Sequence, residues 1–246
     1  MNINTKNLKI ILNNIYKGGN IMLTLKDIKA NPDFQHMIKE ANHYLSEKGY
    51  TEHGFRHVNF VSDTTRRILT ELGFDDKTIE LGAIAGYLHD VGNMFNRKHH
   101  GVSSANIVYT ELRRMEVPLE DITKITTAIA NHDVEIGQAV SPITAALILA
   151  DKSDAHRTRV NKKDSTFIHD RVNLAIRDSE ISVQSEEDTI TLSIDYDSSI
   201  SQVMDYFEIY LSRMEMCKEA AKYLGCRFRL LINDLELLGH VDFQEE

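Results

Sequence analysis

Proline occurs three times in 246 residues, and Pro32, Pro118 and Pro142 each stand where a run of helically spaced apolar residues begins. Proline inside a helix removes a backbone donor and clashes with the preceding turn, whereas at the first helical position it is tolerated. The chain between these points is therefore free to form long helices. Asn31 caps one that starts at Pro32 and carries Phe34, Met37, Ile38, Ala41 and Leu45 on one face. Further helices are expected over about 51–72 with Gly73 as the stop, 76–90 ending at Gly92, 100–115, 118–131, and 143–157 behind the Ser141-Pro142 cap.

The pattern changes after about residue 179. Ile181 and Val183, then Ile190, Leu192 and Ile194, alternate with polar residues around Glu186-Glu187-Asp188, which reads as a hairpin. A long helix is expected over about 200–223, stopped by Gly225, and Phe228, Leu230 and Ile232 alternate again. The expected fold is mainly α: an all-helical bundle over 22–178 with a small C-terminal α+β module of three strands and one long helix over 179–246. Residues 1–21 differ in composition. They read either as a non-native extension upstream of a start at Met22, with Lys17-Gly18-Gly19 resembling a translated ribosome-binding site, or as a short amphipathic helix carrying Leu8, Ile10, Ile11 and Ile15.

Charge and composition narrow the function. A net charge of −9 argues against general binding of a nucleic-acid polymer. It leaves room for a nucleotide held at a metal, which supplies its own positive charge. No apolar run reaches the roughly 20 residues of a bilayer span, and no leader pattern opens the chain, so a cytoplasmic protein is expected with no membrane partner. Cys217 and Cys226 suit a reducing compartment and read as small buried apolar groups.

Six residues carry the chemistry: His57, the adjacent His89-Asp90, His100, His132 and Asp151. They fall at or near the ends of separate expected helices. The apolar stretches 81–88 and 145–150 run straight into His89-Asp90 and Asp151, so both carboxylates end buried helices. An unpaired carboxylate there would be costly, and a divalent cation removes the cost. Imidazole and carboxylate without thiolate suit Mn, Fe, Co, Ni or Zn in catalytic sites. Four histidines and two aspartates exceed what one ion needs. A carboxylate can bridge two ions, and Asp90 is the natural bridge.

This ordered set, with Leu88-His89-Asp90-Val91-Gly92, His100-Gly-Val-Ser-Ser-Ala105 and Ala150-Asp151-Lys152-Ser153-Asp154-Ala155, resembles the HD superfamily of metal-dependent phosphohydrolases in its two-metal form, over about 50–160. The resemblance implies an HD-type helical domain. It implies His57, His89, Asp90 and Asp151 on one metal and Asp90, His100 and His132 on the other, with iron or manganese foremost among the metals. It further implies hydrolysis of a phosphate ester, a nucleotide or related small molecule, by a water or hydroxide held between the ions. Two departures stand out. Asn93 occupies a position where some members carry a phosphate-touching lysine, and the His132-Asp133 segment lacks the Gly-Tyr-Pro string of the subgroup that hydrolyses cyclic di-guanylate.

The phosphate contact must then come from elsewhere. Lys152, beside Asp151, is the first candidate catalytic cation; Arg97 and Lys98 on the preceding loop, Asn93, and His53 at the cleft rim are candidate substrate contacts. Ion pairing with Asp151 or Asp154 is the plainer role for Lys152. His53 competes with His57 four residues on, and His99 with His100; Val58 and the Ser-Ser-Ala step favour the later residue in each pair. His156, His169 and His240 read as surface residues. Two other functions fit the same residues: a single-metal nucleotidase in which His100 and His132 serve the substrate, and a non-catalytic nucleotide-sensing metal protein. The C-terminal module is a candidate homodimer contact or site cover.

Overall fold

In the computed structural model, residues 23–135, 137–160 and 167–238 are described. The expectations for 1–21 and for His240 lie outside them.

The helices start where the caps stand. Thr24 and Asp27 form a capping box at α1 (Leu25–Ala30). The Asn31 side chain accepts from the Asp33 amide at α2 (Pro32–Glu47), Asp75 from Thr78 at α4 (Asp76–Leu88), and Ser141 from Thr144 at α7 (Pro142–Ser153). α3 spans Phe55–Glu71, α5 His100–Arg114 and α6 Leu119–Ala130. α3 begins four residues later than the sequence suggested, because Gly54 in an extended conformation is the N-cap. α7 stops at Ser153, short of 157, because Asp154 leaves helical geometry and its carboxylate is held by Arg56 and His57.

The apolar stretches 81–88 of α4 and 143–150 of α7 are buried on every side, as all-apolar helical segments must be. Close approach makes this feasible. A Cβ on Gly86 of α4 would lie 2.8 Å from the Ser62 Cα of α3, and the Ser62 hydroxyl donates to the Ala83 carbonyl at 2.7 Å. The two helices thus touch backbone to backbone, and the residues that follow α4 emerge inside the bundle.

Among the described residues the C-terminal module contains four strands, where the sequence suggested three. α8 (Ile168–Ala175) leads into β1 (Ile176–Gln184), which pairs antiparallel with β2 (Thr189–Tyr196), Ile181 opposite Leu192. α9 (Val203–Tyr223) crosses over to β3 (Arg227–Ile232), parallel to β2. The unexpected strand, β4 (Leu235–Leu238), folds back on β3 through Asn233 and Asp234, both at positive φ as a tight hairpin turn requires. It is four residues long and half exposed, too short for alternation to reveal. The core does not divide at 178: Met214, Cys217 and Ala221 of α9 share one apolar cluster with Leu147 and Ile148 of α7, and Ser179 of β1 donates to the Ser153 carbonyl at 2.7 Å. Among the described residues, no helix is long and apolar enough to cross a membrane.

Candidate metal centre

Five helix ends converge. His57 lies in the first turn of α3, His89 caps α4 with Asp90 directly after it, His100 opens α5, His132 follows α6, and Asp151 is in the last turn of α7. Gly92 permits the approach of α5. A Cβ there would come within 2.5 Å of the His100 carbonyl oxygen, and the Gly92 amide instead donates to Ser104 Oγ at 2.8 Å. The Val91-Gly92 step and the small pair after His100 are thus two sides of one contact.

Donor atoms form two overlapping groups that both reach Asp90, and His89 of the first also lies against His132 of the second. His57 Nε2 lies 3.2 Å from His89 Nε2, 3.3 Å from Asp151 Oδ1 and 3.6 Å from Asp90 Oδ2. His89 Nε2 lies 3.5 Å from Asp90 Oδ2 and 3.6 Å from Asp151 Oδ1. On the other side, His100 Nε2 is 3.2 Å from both Asp90 Oδ1 and His132 Nε2, and His132 Nε2 is 4.0 Å from Asp90 Oδ1. Ligands about 2.1 Å from one ion stand about 3.0–3.4 Å apart in octahedral or tetrahedral arrangement. Both groups match that spacing closely, the Asp90–His132 edge being the loosest.

Tautomers sharpen the fit. The Nδ1 atoms of His89, His100 and His132 lie 2.8, 3.0 and 2.6 Å from the carbonyl oxygens of Gly86, Arg97 and Ile129. A carbonyl only accepts, so each Nδ1 carries its proton, and in its neutral form each ring turns a bare Nε2 lone pair inward. His57 is set likewise by the Asp154 carboxylate, 2.6 Å from its Nδ1. Four lone pairs and two carboxylates facing one another demand positive charge between them. The titration tendencies agree. Burial would raise Asp90, but His89 and His100 hold it well below the carboxylate range. Burial is likewise outweighed at Asp151, by Lys152, His57 and His89. Burial depresses His89, yet Asp90 and Asp151 raise it overall, whereas burial, His89 and His100 keep His132 neutral.

A cavity of about 730 Å³ opens beside this cluster, and Asp151, Lys152, Arg97, His53 and Asp133 line it. Lys152 is buried and its Nζ lies 2.6 Å from Asp151 Oδ2. His53 sits at the rim, edge-on to His57, its Nδ1 on the Thr51 carbonyl. Asn93 is not a cavity residue: it is fully buried behind Asp90, donating to Asp90 Oδ1 at 2.7 Å and accepting from Arg97. Its short side chain on the turn after Asp90 reaches the carboxylate and no further. Lys98 also does not line the cavity; its side chain points into solvent. His99 is exposed and faces Glu135 at 3.4 Å, which leaves the inward place to His100. His156 caps the turn at Arg157–Arg159, and His169 is exposed on the cavity's far edge.

Asp154 was not singled out by the sequence. Its buried carboxylate takes His57 Nδ1–H and a two-pronged contact from Arg56, at 3.0 and 2.6 Å, with Arg159 3.5 Å away. Burial alone would raise its pKa; Arg159, His57 and Arg56 hold it far below the usual range. Its signal was present in the Asp151-x-x-Asp154 spacing and in the Arg56-His57 pair. Asp133 gives a weaker counterpart, 3.3 Å from His100 Nδ1.

A buried set of nitrogen and oxygen donors shared by five helix ends defines a helical metalloprotein. The family model for the HD domain, a family that typically binds divalent metals, matches residues 54–158, which include all six candidate donors. A solved structure described as a predicted HD superfamily hydrolase, from an uncultured Thermotogales bacterium, is 18% identical over 55% of this chain and 75% of its own, with a TM-score of 0.41. No curated protein sequence matches the chain.

Proposed function

We propose that this protein is a metal-dependent phosphohydrolase that cleaves a phosphate ester of a small molecule, with a nucleotide the best fit. The observation that carries the reading is the pair of donor groups joined through the two oxygens of Asp90, opening onto a cavity lined by cations. His57, His89, Asp151 and Asp90 Oδ2 would hold one divalent ion, and His100, His132 and Asp90 Oδ1 a second. When bound, such ions supply Lewis acidity and positive charge toward phosphoryl oxygens. Iron or manganese suits the donors best, with Zn, Co or Ni also compatible.

The chain's own residues do the rest by positioning. Asp154 fixes the His57 ring and keeps its proton on Nδ1. Asn93 fixes the Asp90 carboxylate from behind. Lys152 spans the gap between a donor carboxylate and the cavity, so its ammonium is available to a non-bridging phosphoryl oxygen. Arg97 stands on the other flank, 3.9 Å from Asp90 Oδ1.

Elemental analysis and a phosphoester panel test the reading. About two ions per chain are expected, as a bridged centre requires. Asp90→Ala should lose both, while His132→Ala should mainly loosen one. A single ion that survives His132→Ala and vanishes in His57→Ala would favour the single-metal nucleotidase. No uptake of Mn, Fe or Zn would refute the proposal outright. Full metal content without turnover of any phosphoester would leave the non-catalytic nucleotide sensor.

A further inference from the structure

The cavity extends well past the metal cluster. Its far wall belongs to the C-terminal module: His169 and Asn173 of α8, and Ile209, Tyr210 and Arg213 of α9. Nothing in the phosphoryl chemistry needs this wall. A single phosphate would occupy only the end near Asp151 and Lys152, whereas about 730 Å³ accommodates a nucleotide-sized ligand.

Arg213 is the distinctive feature of that wall. Its guanidinium lies 4.6 Å above the centre of the Tyr210 ring. Tyr210 is itself fixed: its hydroxyl donates to Asn173 Oδ1 at 2.9 Å, and its ring stacks on Tyr206 at 4.8 Å. Every other arginine on the cavity is occupied. Arg159 is committed to Asp154 and to the Glu52 carbonyl, and Arg97 to Asn93 near Asp90. Among the described residues Arg213 forms no ion pair, and its donor fork rests on an aromatic platform at the cavity wall. An arginine resting on a tyrosine at an open surface would be ordinary. This one faces the same cavity as a candidate metal ligand, in a chain of net charge −9.

We propose that the C-terminal module completes the substrate pocket, with Arg213 as a specificity-determining residue that binds a second phosphate of the substrate, remote from the scissile one. The substrate class is then a nucleotide phosphorylated at two positions. Phe167, exposed beside the same cavity, offers a face on which a base can stack. This rests on the reading that the His/Asp cluster takes the scissile phosphate.

The test is calorimetric binding of adenosine 3′,5′-bisphosphate and adenosine 5′-monophosphate to the full-length, Mn-loaded protein, at low temperature to hold turnover back. The wild type should bind the bisphosphate at least about tenfold more tightly, the scale of one charge-assisted bidentate contact. In Arg213→Ala the ratio of the two dissociation constants should fall to about one. Arg213→Gln, which keeps the stem on Tyr210 and removes the charge, should give the same collapse and guards against a folding artefact. A wild-type ratio near one, or an unchanged ratio in both variants, overturns the proposal. Metal content and monophosphate turnover, measured in parallel, keep this separate from the parent reading: intact turnover with no bisphosphate preference refutes only the role of Arg213. A preference for the bisphosphate with turnover of neither nucleotide after warming refutes hydrolysis and leaves the pocket standing.

Discussion

Asp154→Asn isolates the role of a residue that touches no metal. The wild-type carboxylate accepts from His57 Nδ1 at 2.6 Å and from both arms of Arg56, at 3.0 and 2.6 Å. An amide has one accepting oxygen and one donating nitrogen, so either His57 or Arg56 must then face an N–H group. The His57 ring loses its fixed tautomer, and its Nε2, 3.2–3.3 Å from His89 and Asp151, loses its aim. Removing such an orienting partner typically lowers metal affinity about tenfold to a hundredfold, or about 1.4–2.7 kcal/mol. Fold stability should fall too. Breaking a fully buried ion pair from one side costs about 3–5 kcal/mol. Here the Arg56 side chain is 40% exposed and Arg159 keeps the Glu52 carbonyl, so about 1–3 kcal/mol is the better figure. The assay is competition for Mn or Zn against a chromogenic chelator, paired with urea unfolding of the metal-free protein. One equivalent, the one held by His57, should weaken while the other stays tight. Asp133→Asn should do less, because His100 keeps its 3.0 Å bond to the Arg97 carbonyl. Wild-type affinity for both equivalents in Asp154→Asn would refute the orienting role.

Other expectations follow from the same contacts. Lys152→Ala should lower phosphoester turnover by about tenfold to a hundredfold with metal content intact, the scale of one charged transition-state contact; unchanged turnover would shift that role to Arg97. Gly86→Ala should destabilise the fold by about 1–3 kcal/mol in urea titration, because the clash is with the backbone of Ser62, which cannot rotate away. Asp197, hydrogen-bonded by Ser199 and paired with Arg177, has its pKa lowered to about 2. Because its folded pKa is depressed, its contribution to stability is complete above the unfolded value of about 3.9 and fades as pH falls through about 2. Carbon-detected NMR titration of this carboxylate should show a midpoint near 2, and one near 3.9 would mean that neither the Ser199 hydrogen bonds nor the Arg177 pair forms in solution.

Local patterns announced the helices and the donors, and partners distant in sequence supplied what those patterns lacked. Pro32 and Pro142 mark helix starts because a missing N–H matters little in the first turn, and the chain obeys that rule wherever it runs. Among the six candidate donors, His89-Asp90 and Asp151 stand out in the sequence because each follows an apolar helical stretch, where a charged or imidazole side chain has no reason to be unless something holds it. β4 was hidden because four half-exposed residues carry no usable alternation, and only the Asn233-Asp234 turn defines it. Asn93 was misplaced for a different reason. Its substrate role was inferred by substitution for a lysine, yet a lysine reaches about 6 Å from its backbone and an asparagine about half that, so the shorter side chain stops at Asp90. Asp154 and Arg213 illustrate the deeper limit. Each matters through what lies opposite it: His57, 97 residues earlier, for the first, and a cavity whose other end is Asp151 for the second. Helix α9 meets that cavity because its buried Met214 and Cys217 pack into the same core as α7, on the side opposite their exposed neighbours. The packing that stabilises the module therefore also carries Tyr210 and Arg213 to the pocket, and a spacing rule confined to residues 54–158 has no access to either.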